Sequence, residues 1–156
     1  DGSIAGNDND IDPKKFEPHY LEITSEDQVQ IYEPIIFDYK KDVTTSLLSG
    51  ATYAKDNRLL PRGFDKATTE DAVTVTGAAE KDENFAAEGD VVVYKVKLPN
   101  GVESIQVSAK LMYQTIGYRW AMNLKSYDNH EADRFIGYFE DNAKISAVVL
   151  AEAVRK

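Results

Sequence analysis

The chain has no cysteine, only one tryptophan and two methionines among its 156 residues, and fewer basic than acidic side chains. Without cysteine there is no disulfide, no thiolate metal site, no cysteine nucleophile and no C-x-x-C-H haem attachment within it. No apolar run approaches the roughly 20 residues that a membrane-spanning helix needs. Lys and Arg number 18 against 27 Asp and Glu, a net charge of −9, which repels phosphate backbones and anionic lipid heads. Nucleic acid and membrane insertion are therefore poor expectations. No G-x-S-x-G, no Gly-rich phosphate cradle and no H-E-x-x-H occurs, so nothing in the sequence supports an enzyme.

What is present is a length suited to one domain that can bury most of its apolar surface, with charged and apolar fractions near globular averages. Residues 1–20 are rich in Gly, Asn, Asp and Pro and read as a polar arm or linker, leaving 21–156 as a single domain. No signal peptide is visible, yet the first residue is Asp1. The expectation is an excised domain with any export signal upstream.

Alternation points to strands. "DQVQIYEPIIF" sets Val29 and Ile31 against Gln28 and Gln30 and carries Pro34, which suits an edge or bulged strand. "TTSLLSGATYA" (44–54) is a weaker strand, and 55–68 is an irregular connection. Asn100-Gly101 is the dipeptide of a two-residue hairpin turn. With that turn, Val96 faces Ile105, Tyr94 faces Val107 and Val92 faces Ala109, an apolar row opposite a polar one. "TIGYRWAMNL" (115–124) alternates Tyr118, Trp120, Met122 and Leu124 with smaller or polar residues, again as a strand. The period then changes: Ala132, Phe135, Ile136, Phe139 and Ala143 form the stripe of an amphipathic helix, with Asp128 and Glu131 as its capping box. Residues 145–154 can extend that helix or return as a strand, and the β-branched residues favour the strand. The expected fold is mainly β: an antiparallel β-sandwich, Ig-like or jelly-roll-like, with one late α-helix.

Four candidate sites emerge. Asn7, Asp8, Asp10 and Asp12 supply hard oxygen ligands of the kind calcium takes, but Pro13 and His19 stand where an EF-hand needs Gly and Glu. A turn network in which Asx side chains bond their own backbone is the competing reading. His19, among aromatics in "FEPHY", either packs or approaches a group outside this chain. Tyr118, Arg119 and Trp120 are either core or a platform on which a sugar ring stacks, with Arg119 bonding hydroxyls. Around "LLPRGF", Arg58, Arg62, Asp56 and Asp65 offer a loop-fixing Arg–carboxylate pair.

At "GNDNDIDPKKFEPHY", "DQVQIYE", "YAKDNRLLPRGFDK" and "YQTIGYRWAMNL" the chain resembles the haem-free C-terminal region of multihaem cytochrome c family proteins of Gram-negative bacteria, from about residue 6 to 154. The resemblance implies a periplasmic or cell-surface setting. It implies a noncatalytic accessory domain that docks on the upstream haem domain of the same polypeptide or on a redox partner protein. Haem is then carried upstream and none is bound covalently here. In that setting, calcium at the acidic lead-in stiffens the junction, and His19 is a cofactor-facing residue near a haem edge. The alternative is a carbohydrate-binding β-sandwich module of an exported protein.

Overall fold

A computed structural model describes residues 3–156 of the chain, and its residues gather into two compact units, Ile4–Lys95 and Val96–Lys156 with Ser3. The division expected near residue 20 is not where the chain separates. The lead-in belongs to the first unit, because Asp10, Glu17 and His19 are all buried there.

In the first unit, β1 (Glu22–Ile23) pairs in parallel with β5 (Val93–Tyr94), and β2 (Pro34–Asp38) lies between β3 (Val43–Thr44) and β4 (Gly50–Asp56) in an antiparallel sheet. Pro34 opens β2, where its missing N–H does not interrupt the ladder. The β2–β4 register shifts twice, between Ile35 and Ile36 and between Phe37 and Asp38. That is the irregularity expected of this segment, although Val29 and Ile31 lie outside the strand. Two 3-10 turns (Asp71–Val73 and Ala78–Glu80) precede β5. Val75, Ala79 and Phe85 form a buried apolar cluster, with Tyr32, Leu60 and Phe64 packed against it, and Ile23 and Ile35 are buried as well.

The second unit holds β6 (Val107–Tyr113), α1 (Tyr118–Leu124), α2 (His130–Ser146) and β7 (Val148–Arg155). Helix α2 buries Ala132, Ile136, Phe139 and Ala143, the stripe read from the sequence. Its cap is Asn129, whose side chain accepts from Ala132 N at 2.9 Å, one residue later than the cap expected at Asp128. Residues 148–155 return as a strand, and β6 and β7 pair antiparallel with a bulge between Leu111 and Met112.

Among the described residues the fold is mainly β, with strands in three small sheets and two α-helices instead of one. Two of the expected strand assignments fail. The 94–107 hairpin does not form: Val93 N and Lys95 N donate to Leu21 O and Ile23 O at 3.0 and 2.8 Å, and Val107 pairs with Arg155. The groups a local ladder would use are taken by distant partners, and Tyr94 and Val96 are exposed. Residues 118–124 are helix α1, not strand, because Tyr118, Ala121 and Met122 share a helical face against Ile136 and Phe139.

Candidate functional site

The segments before β1 and β2, the end of β4 and the loop before β5 are polar, and they converge on one buried ring. His19 Nε2 lies 3.1 Å from Asp82 Oδ2, and both side chains are almost wholly excluded from solvent. On the other side, His19 Nδ1 faces Gln30 Nε2 at 2.8 Å and Asn57 Nδ2 at 3.1 Å.

The amide orientations fix the tautomer. Gln30 Oε1 accepts from Tyr20 N at 2.8 Å, and Asn57 Oδ1 accepts from Glu33 N at 2.9 Å. Both amide NH2 groups therefore point at Nδ1, which is the acceptor, and Nε2 carries the proton and donates it to Asp82. The ring stands edge-on to Phe85 at 5.1 Å. Protonation at Nδ1 would set an N–H against two N–H donors.

Asp82 is held as a carboxylate. Burial pushes its pKa up, but the bond from His19, the Asn84 N–H at 2.9 Å and the charge of Lys66 outweigh that and bring it below the usual value. Lys66 Nζ donates to Asp82 O and Ala79 O and sits 5.8 Å over the Phe85 ring. Asp90 Oδ2 accepts from Tyr32 OH at 2.7 Å and Gln30 Nε2 at 3.2 Å. Burial, and then the Asp90 carboxylate, raise the Tyr32 pKa.

A second buried node adjoins the lead-in. Lys55 Nζ donates to Glu17 O at 2.8 Å and Ile31 O at 2.9 Å and lies 3.4 Å from Glu33 Oε1. Burial lowers its pKa in spite of nearby Glu33, Asp10 and Glu17. Glu17 accepts from Asn7 Nδ2, Asn9 Nδ2 and Tyr20 OH.

Among the described residues, His19, Asp82 and Asp90 are the one group of three His or carboxylate side chains close enough for a shared ion, their ligand atoms lying within 4.8 Å of one another. The hydrogen bonds argue against that use. An ion at Nε2 must replace the proton shared with Asp82 while Nδ1, facing two donors, cannot take one up; an ion at Nδ1 must expel both amides. The arrangement is a clamp joining four stretches of the polypeptide, with both ring nitrogens spent inside it.

The His19 side chain is excluded from solvent, and both of its ring nitrogens face partners within the chain. Asp8 is exposed and held by Lys15 Nζ at 2.9 and 3.0 Å, Asp12 Oδ1 accepts from Lys14 N, and Asn7 Oδ1 accepts from Asn9 N. The Asn7 and Asp12 side chains thus bond backbone N–H groups two residues on, as in the turn-network reading, whereas Asp8 meets a lysine side chain. Tyr118, Arg119 and Trp120 are consecutive helical residues about 100° apart, with Arg119 buried and Tyr118 packed on the core, so they do not form the flat strand face that a sugar platform requires. Arg58 makes the loop-fixing pair, with Nη2 2.6 Å and Nε 2.9 Å from the two Asp56 oxygens. Arg62 instead meets Glu88 at 3.1 Å at the surface. Gln30, Asn57, Asp82 and Asp90 are absent from the sequence-based candidates, and no spacing motif connects them. No protein-family model, curated protein or solved structure matches this protein.

Proposed function

We propose that the protein is a noncatalytic accessory module of an exported multihaem cytochrome c-like electron-transfer protein, placed in the periplasm or at the cell surface, and that it docks on the haem-bearing part or on a redox partner protein. The resemblance of its lead-in and of its "LLPRGF" and "QTIGYRW" segments to that family supports the setting. The observation that carries a docking role is the β6–β7 ribbon. Every residue of both strands is exposed, and Val107, Ala109 and Leu111 lie opposite Arg155, Ala153 and Ala151 on one face, with Tyr113 opposite Val148 beyond the bulge. An isolated two-stranded ribbon is marginal in water, and an uncovered apolar face of this kind suits a protein partner. The finer β-sandwich assignment belongs to the same proposal.

The test is an isotope-labelled sample of the protein titrated with the C-x-x-C-H-bearing protein encoded upstream in the same reading frame. Amide shifts centred on 107–113 and 148–155, lost in Leu111→Asp, support the reading. An upstream frame without C-x-x-C-H segments, or no shifts in the ribbon, overturns it.

A further inference from the structure

The Asn100-Gly101 pair, freed from the hairpin that its sequence suggests, stands in a turn within an irregular stretch, residues 95–106, in which every residue is exposed. Gly101 has φ +82°, and no atom lies within 4 Å of the position a Cβ would take there. The Asn100 side chain and the Gly101 N–H make no hydrogen bond among the described residues.

We infer that Asn100 is a site of spontaneous, self-catalysed deamidation that turns over in the folded protein. The deprotonated Gly101 backbone nitrogen attacks the carbonyl carbon of the Asn100 amide, a bond forms between them, and the carbon–nitrogen bond of that amide breaks with release of ammonia. Water then opens the resulting succinimide at either carbonyl, giving aspartate or isoaspartate. No oxidant or cofactor enters, and solvent supplies the base and the water. Glycine is the following residue that least hinders the attack, having no side chain and free access to the required dihedrals.

The protein has seven other asparagines, none followed by glycine. Several are also held in place. Asn57 is fully buried and bonds Ile31 O, His19 Nδ1 and Glu33 N. Asn129 spends its oxygen on the α2 cap, Asn7 and Asn9 spend their amides on Glu17, and Asn142 donates to Tyr138 O inside α2. Selectivity for Asn100 thus rests on local sequence and on exposure together. The product adds one negative charge, and isoaspartate adds a backbone carbon, at residues 100–101, which have no ladder partner to disrupt.

The experiment incubates the whole native protein, and a urea-unfolded sample, in mildly alkaline buffer and maps peptides by mass spectrometry, with methyl transfer by an isoaspartyl methyltransferase as the second readout. The expected result is the NH-to-O mass shift confined to the 100–101 peptide, appearing in the native protein about as fast as in the unfolded one. Both signals should be lost in Asn100→Gln and in Gly101→Ala, each checked for native circular dichroism. Native-state protection of Asn100 relative to the unfolded state, or faster conversion at another asparagine, overturns the inference.

Discussion

Gln30 turns its amide NH2 to His19 Nδ1, at 2.8 Å, and keeps its carbonyl for the Tyr20 backbone N–H, so one residue settles which nitrogen of the buried imidazole carries the proton. The consequence extends to Asp82, which must receive that proton's hydrogen bond as an ionised carboxylate. Residue 19 is thereby tied to residues 30, 57 and 82 through polar contacts in a unit whose apolar core is small.

Asp82→Ala is expected to destabilise the first unit by about 3 kcal/mol at neutral pH, since it strands the His19 Nε2–H and the Asn84 N–H in a buried place. The folded-state pKa of Asp82 is lowered from 3.8, so its contribution is fully present above that value and is lost as pH falls through the lower, folded value. Urea unfolding at neutral pH and again below pH 3.8 should show the gap between wild type and variant narrowing in acid.

Lys55→Met removes the donor shared by Glu17 O and Ile31 O, and a loss of about 1–3 kcal/mol is expected. Burial lowers the Lys55 pKa, so the unfolded state binds the proton more readily than the folded one between the folded value and 10.5. Across that window wild type should gain stability relative to the variant as pH rises, read as a divergence of their denaturant midpoints.

Asn129→Ala should cost about 1 kcal/mol through the lost cap on α2, whereas Asp128→Ala should change little. Equal effects at the two positions would move the cap back to Asp128. Thermal melts of the two variants, compared with wild type, distinguish the cases.

Gly137→Ala is expected to stabilise by about 0.5–1 kcal/mol, because Gly137 lies inside α2 with nothing within 4 Å of an added Cβ. Gly77→Ala is expected to do the opposite. Its φ is +86° and the added Cβ would meet Ala54 O at 3.3 Å. Opposite signs in denaturant midpoint for the two substitutions check both placements.

The legible parts of the fold are those where periodicity alone decides. Ala132, Ile136, Phe139 and Ala143 mark α2 because seventeen residues leave no room for a competing period, and the β-branched run at 148–149 marks the returning strand. Helix α1 is only seven residues long, and in so short a window Tyr118, Trp120 and Met122 satisfy alternation as well as Tyr118, Ala121 and Met122 satisfy a helix. The hairpin at Asn100-Gly101 is self-consistent locally, and it loses to two pairings with segments far away in sequence, at residues 22–23 and 148–155. Of the clamp only His19 is visible in the sequence. Gln30, Asn57, Asp82 and Asp90 come from scattered stretches, and ordinary polar residues without a fixed spacing carry no pattern for sequence reasoning to find.

The direct test of the clamp is a long-range proton–nitrogen spectrum of the His19 ring at neutral pH. The expected result is a pyridine-like shift at Nδ1 and a protonated, pyrrole-like shift at Nε2, unchanged when zinc or calcium is added. A proton on Nδ1, a doubly protonated ring, or displacement of the ring signals by either metal would contradict it.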